Sequence, residues 1–309
     1  MQYDEVMRRV LADRVAMALE EDLGGIGDVT TDAILSREWC QVSSPDTAGN
    51  GIIRSKAEGV LCGIDAAREV FSQLDQDVEF PVSLADGSEI DFGTVVLEVT
   101  GKYSALLRGE RTALNFLARL SGVATLTRKA VRAVEGTGVD ILDTRKTTPG
   151  FRLLEKYAVR VGGGKNHRWG LFDQYLIKEN HIEAAGGITL AVTSARRHLQ
   201  NSRDRISWIP ESAHASALGR PVVIEVEVRN LAEVKEALDC GADCILLDNM
   251  TDDQIREAVE LIGGRARIEI SGGVTIERLP QLAKLGVDAI SMGMLTHSAT
   301  AHDFSMLLR

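Results

Sequence analysis

Between Asp143 and Asn180 the chain reads DTRKTTPGFRLLEKYAVRVGGGKNHRWGLFDQYLIKEN. From Asp143 to Lys178 this stretch sets eight basic residues (Arg145, Lys146, Arg152, Lys156, Arg160, Lys165, Arg168 and Lys178) against three acids (Asp143, Glu155 and Asp173). The whole chain carries a formal net charge of −10, so the local reversal points to a pocket for anions. An arginine fork grips a carboxylate through two hydrogen bonds, and a lysine adds a compact charge suited to phosphate. Several converging cations imply a multiply charged ligand. Arg145 and Lys146, between a strand and a Pro-Gly turn, are the strongest candidates. For Arg152, Lys156 and Arg160, at helical spacing after Pro149-Gly150, solvated surface charge is an equal alternative. GGGKNHR (162–168) is glycine-rich but is no Walker A loop, because Asn166 follows Lys165.

The acids supply a second chemistry. Glu225 and Glu227 alternate in IEVEV, so both face one side of a strand, and a barrel interior holds carboxylates only with partners. Glu227 and Asp248, at adjacent strand ends, can hold a divalent cation; magnesium needs only one or two carboxylates besides substrate phosphate oxygens. A structural ion pair with the basic stretch is the alternative. Ser271, Gly272 and Gly273, with Gly293 and His297 in GMLTHS (293–298), follow the last two strands, where barrels bind phosphate. Taken alone, SGG is equally plain turn chemistry.

These residues need a scaffold. At 309 residues, 44% hydrophobic and 26% charged, the chain can bury a substantial core and is not disordered. A pI near 5.2 and an aromatic content of 5% argue against nucleic acid as partner. No window reaches the length of a membrane span, and the N-terminus lacks the apolar region of a signal peptide, so a cytoplasmic protein is expected. Of Cys40, Cys62, Cys240 and Cys244 only the last two are close, and free thiols in a reducing compartment are expected.

Apolar spacing at Val6, Val10, Val15 and Leu19 predicts a helix over 4–21. Short β-branched runs at 51–56, 59–62, 78–82 and 94–103, with a helix over 64–74 and a turn at Asp86-Gly87, predict an α+β domain. A long helical region follows over 106–133, broken at Ser121-Gly122 and bridging two domains. Beyond it, strands at 139–143, 175–178, 222–228, 244–248, 267–271 and 288–292 alternate with helices at 183–199, 231–239, 251–262 and 275–285. Polar residues end these strands: Asp143, Lys178, Glu227, Asp248, Ser271 and Gly293. That is the active face of a closed or nearly closed α/β barrel, rather than the single switch point of an open sheet. Residues 200–220 form an irregular polar excursion.

Eight motifs in order carry a resemblance: ERTALNFLARLSGVAT (110–125), DTRKTTPG (143–150), GGGKNHR (162–168), LIKENH (176–181), EVEV (225–228), LLDNM (246–250), SGG (271–273) and GMLTHS (293–298). Together they resemble the quinolinate phosphoribosyltransferases, in register from about Glu20 to the end. The resemblance implies an N-terminal α/β sandwich domain (1–113), to which the C-terminal tail (298–309) returns, and an incomplete seven-stranded α/β barrel (114–297). One of its seven strands has no clear counterpart among the six read above. The implied reaction joins quinolinate to phosphoribosyl pyrophosphate with Mg2+, giving nicotinate mononucleotide, pyrophosphate and CO2 in NAD biosynthesis. By the same resemblance Arg145, His167, Arg168 and Lys178 hold the two quinolinate carboxylates. Lys146, Glu227 and Asp248 serve the ribose-pyrophosphate and the metal, and Ser271, Gly272, Gly273, Gly293 and His297 surround the 5′-phosphate. Arg111 reaches the site of the other subunit of a homodimer, for which higher assembly is open. Phe151 and Val123 stand where the family usually has leucine and isoleucine. A molybdenum-transport relative of the same fold, an anion sensor and an enzyme acting on nicotinate are the competing readings.

Overall fold

The computed structural model describes residues 5–35, 47–202 and 224–309. The excursion expected over 200–220 lies outside the described residues from 203 onward, and so do Cys40 and the polar segment at 43–46. The chain forms two compact units: Met1–Leu126 with Leu153–Gly162 and Ala299–Arg309, and Thr127–Arg152 with Gly163–Ser298.

In the first unit, α1 (Glu5–Leu23) buries Met7, Leu11, Val15 and Leu19. The buried row is a strict four-residue repeat, so Val6 and Val10 flank it instead of forming it. Each large side chain so buried stabilises the unit by roughly 1.5–3 kcal/mol. This helix packs against α3 (Ile64–Leu74), whose first amides are capped by Asp86 Oδ1, 3.0 Å from the N–H groups of Gly63 and Ile64. Four strands form an antiparallel sheet in the order β12 (Phe304–Leu308), β1 (Ala48–Ser55), β5 (Val95–Lys102), β3 (Glu79–Ser83). The C-terminal tail thus returns as an edge strand beside β1.

Helix α4 (Tyr103–Ala133) runs from the first unit into the second without the break expected at Ser121-Gly122. Both residues have packing reasons to be there. Ser121 Oγ bonds the N–H and the carbonyl of Cys62, at 2.9 and 3.0 Å. A Cβ on Gly122 would lie 2.2 Å from the carbonyl oxygen of Thr300, so glycine lets the C-terminal segment cross the helix.

In the second unit the parallel strands β6 (Asp140–Leu142), β7 (Tyr175–Ile177), β8 (Ile224–Val228), β9 (Cys244–Asp248), β10 (Arg267–Ser271) and β11 (Ala289–Ser291) lie in the order β6-β11-β10-β9-β8-β7. The last strand of the series pairs with the first, which an open sheet of the same sequential series does not do. Beyond β6, Leu142 and Lys165 make one further parallel bridge. Reading round from this bridge, the seven positions follow chain order, with the unpaired seam between the Lys165 segment and β7. The seventh strand is thus reduced to a bridge, because Gly162-Gly163-Gly164 leave little there to pack.

Two predicted helices differ. The single helix expected over 183–199 is α6 (Glu179–Ala185) and α7 (Ile188–Ser202), parted by Gly186 and Gly187 at φ +84° and +137°. Over 275–285 only a 3-10 turn, Ile276–Arg278, and a helical turn, Leu279–Leu282, form around Pro280.

Candidate active site

Six strand ends and the Lys165 bridge lie on one face of the second unit. After β6, Asp143 is fully buried and acts as an anchor: its carboxylate accepts the Asn166 side-chain amide (2.6 Å) and the backbone N–H of His167 (2.9 Å). Arg145 and Lys146 follow on a loop held from two sides. Arg152 Nε donates to Thr147 Oγ1 at 3.0 Å and its Nη1 to the Trp169 carbonyl at 3.1 Å. Thr296 Oγ1 donates to the Lys146 carbonyl at 2.8 Å.

The Arg145 Nε is buried with no hydrogen-bond partner among the described residues. Arg168, itself 8% exposed, donates to the Gln174 carbonyl at 3.3 Å. Burial, and after it the positive charge of Arg145, hold the Arg168 guanidinium below its ordinary pKa. Two guanidiniums that repel across a partly dry site, one with an unused donor, are arranged for an anion. Lys178, at the end of β7, contacts Glu227 at the end of β8. His181 Nδ1 accepts the Lys178 N–H at 3.0 Å and steadies that loop.

His167 turns its ring into the barrel. Its Nδ1 accepts the Arg168 backbone N–H at 2.7 Å, which places the ring proton on Nε2. That nitrogen lies 3.1 Å from Glu225 Oε2 and 3.6 Å from Glu269 Oε1. Glu225 and Glu269 are both 1% exposed. Burial alone would raise Glu225, but His167, Arg168 and Gln174 outweigh it and keep the carboxyl below its usual value. Burial, and then Glu225, push Glu269 up to about 7. Three ligand-type groups meet within 4.8 Å here. Nevertheless, a metal-bound histidine donates its other N–H, whereas here Nδ1 accepts and Nε2 presents a proton, so this geometry builds a hydrogen-bond cluster and no cation site.

The remaining strand ends form the phosphate side. Asn249 stands in the left-handed region at φ 54°, alone in this among the described non-glycine residues. Its side-chain amide donates to Asp248 Oδ2 at 2.8 Å and its backbone N–H to the Ser271 carbonyl at 3.1 Å. Gly272, at φ +90°, is required next to it, since a Cβ would lie 2.3 Å from Asn249 Oδ1; Gly273 also has positive φ. A Cβ on Gly293 would meet Lys146 Cδ at 2.8 Å and His297 at 3.2 Å, so these three residues stack together. His297 is exposed, with Nδ1 2.6 Å from Ser298 Oγ.

Sequence models of the quinolinate phosphoribosyl transferase N-terminal and C-terminal domains match residues 28–121 and residues 123–207 with 206–307. The chain belongs to the quinolinate phosphoribosyltransferase family. A probable nicotinate-nucleotide pyrophosphorylase (carboxylating) of Bacillus subtilis is 42% identical over 286 residues, covering 93% of this chain and 89% of its own length. A quinolinate phosphoribosyltransferase (decarboxylating) of Nicotiana tabacum is 37% identical over 308 residues, covering 94% and 80%. The structure of the nicotinate-nucleotide pyrophosphorylase from Francisella tularensis superposes with a TM-score of 0.85 at 37% identity over 100% of both chains.

Within this phosphoribosyltransferase the second unit brings together Arg145, His167 and Arg168, then Lys178 with Glu227, Asp248 with Ser271 and Gly272, and Lys146 with Gly293 and His297. Arg111 belongs to the first unit, exposed on α4. Among the basic residues read as field or surface charge, Lys156 is fully buried, Lys165 Nζ sits 2.7 Å from Asp140, and Arg152 ties the Arg145 loop. Sequence reading missed Asn249, His181, Gln174 and Glu269. Glu269 had a signal: an acid between two isoleucines in RIEIS repeats the pattern of IEVEV.

Proposed function

We infer that this chain transfers the phosphoribosyl group of phosphoribosyl pyrophosphate to quinolinate with loss of CO2, giving nicotinate mononucleotide and pyrophosphate. The observation that carries the reading is the Arg145–Arg168 pair, in which Arg168 is buried and the half-buried Arg145 keeps an unused Nε donor, an arrangement that a rigid dicarboxylate satisfies and a monocarboxylate half-fills. Arg145, His167, Arg168 and Lys178 serve this substrate. Lys146, with Gly293 and His297, serves the phosphoribosyl side, and Ser271, Gly272 and Gly273 offer backbone N–H groups to the 5′-phosphate.

The pyridine nitrogen attacks the anomeric carbon as pyrophosphate leaves, through a transition state with oxocarbenium character. Positioning by the cations and the negative charge of Glu227 and Asp248 near the developing cation lower the barrier. The ribosylated ring is a pyridinium, whose positive nitrogen stabilises the carbanion left on the adjacent ring carbon when the carboxylate departs as CO2; a proton from solvent then takes the carboxylate's place. No side-chain nucleophile is needed. Glu227 and Asp248, acids on neighbouring strand ends, fit a magnesium ion that takes its other ligands from water and substrate. Held there, it would supply charge neutralisation for the leaving pyrophosphate.

On this reading the enzyme is a homodimer in which Arg111 completes the partner's site. No helix among the described residues is long and apolar enough to cross a membrane, and the buried free thiols Cys62 and Cys244 suit a cytoplasmic home. Purified protein with quinolinate, phosphoribosyl pyrophosphate and Mg2+ should release pyrophosphate and CO2 in equal amounts. Turnover of nicotinate but not quinolinate would overturn the assignment.

A further inference from the structure

Glu225 takes no part in the chemistry above, yet it is the acid beneath the quinolinate cations. Its Oε2 accepts Gln174 Nε2 at 2.6 Å and faces His167 Nε2 at 3.1 Å. Each partner leads to Arg168. The Gln174 backbone carbonyl accepts Arg168 Nη1 at 3.3 Å, and His167 Nδ1 accepts the Arg168 backbone N–H at 2.7 Å. Its other oxygen accepts from the weak Cys244 thiol, 3.8 Å away. A carboxylate buried to 1% exposure is a poor stabiliser, because desolvation offsets most of what its partners return. An apolar side chain would fill that point of the barrel at lower cost. What the charge does achieve is orientation: the two residues that bond Arg168, one at its guanidinium and one at its backbone N–H, are both anchored on it, and its negative charge offsets the repulsion between Arg145 and Arg168.

We propose that Glu225, acting through Gln174 and His167, is a positioning residue that holds Arg168 in register for the quinolinate carboxylate. The assignment rests on the function inferred above. It separates two roles on one strand: Glu225 serves quinolinate from below, while Glu227, two residues on, faces the ribose-pyrophosphate side.

The test is Glu225→Gln, which keeps the shape and removes the charge, alongside Gln174→Leu, which leaves the carboxylate and the backbone carbonyl that bonds Arg168 but removes the side-chain bond tying that backbone to Glu225. Quinolinate KM, and quinolinate Kd by calorimetry, should rise about tenfold or more, as expected for a lost hydrogen bond to a charged group. KM for phosphoribosyl pyrophosphate should stay within about twofold. Quinolinate affinity unchanged in the folded variants, or equal weakening of both substrates, overturns the proposal. Should Glu225→Gln not fold, the Gln174→Leu result decides by the same criterion. A wild-type protein that neither binds nor turns over quinolinate removes the function and this inference together, whereas a normal wild type with unaffected variants removes this inference alone.

Discussion

At the scale of the residue, the site is decided by which polar groups are left unsatisfied. Arg145 Nε has no partner among the described residues, so its fork is available to a carboxylate. Arg145→Lys removes the second donor, and quinolinate KM should rise about tenfold or more while that of phosphoribosyl pyrophosphate moves little; equal losses would mean that Arg145 is misassigned. Glu269 makes a prediction about pH. Its ordinary value is 4.5, and in the fold burial and Glu225 raise it to about 7. Between these values the native state holds a proton that the unfolded chain has released. Stability is therefore highest below pH 4.5 on this account and is lost as pH rises through about 7. Thermal melts of Glu269→Gln should lack that decline between pH 5 and pH 7.5, and a parallel decline in both proteins would assign it to other groups.

At the scale of the element, loops lock one another in place. Asn249 and Gly272 lie on neighbouring strand ends and interlock, with the Asn249 amide on Asp248 and no room for a Cβ on Gly272. Gly272→Ala meets both a positive φ and a 2.3 Å contact. It should lower stability by about 1–3 kcal/mol and weaken phosphoribosyl pyrophosphate more than quinolinate, readable as a denaturation midpoint and two KM values. Arg152 does the same service for the Arg145 loop. Arg152→Ala should raise quinolinate KM with the fold intact by circular dichroism, and an unchanged KM would show that Thr296 holds the loop unaided.

At the scale of the whole molecule, Arg111 belongs to the first unit, whereas the other cations proposed for the substrates belong to the second. Arg111 is exposed on α4, and the functional reading gives it to the neighbouring subunit. Arg111→Ala and Lys178→Ala chains should each be inactive, and mixing them should restore roughly a quarter of wild-type activity, since half of randomly formed dimers are hybrid and each hybrid has one complete site. Verified hybrids without activity would place Arg111 outside the partner's site.

Much of this architecture was legible in the order of residues. Short apolar strands ending in Asp143, Lys178, Glu227, Asp248, Ser271 and Gly293 describe a parallel barrel, because periodicity and strand-end polarity are local properties of a chain. Other features were not local. Gly122 looks like a helix break and is a crossing point, since the reason for it is the Thr300 carbonyl far along the chain. The bridge at Lys165 supplies the seventh strand position, though three glycines before it carry no strand signal. Lys156 resembles a solvated helix charge and is buried, and Asn249 bears no mark of its left-handed backbone. The sequence by itself determined which charges this protein carries and the strand ends on which they fall. Only the tertiary structure decided which of them meet, because Arg168 with Glu225, or Asn249 with Gly272, become neighbours through strand pairing that no local pattern encodes.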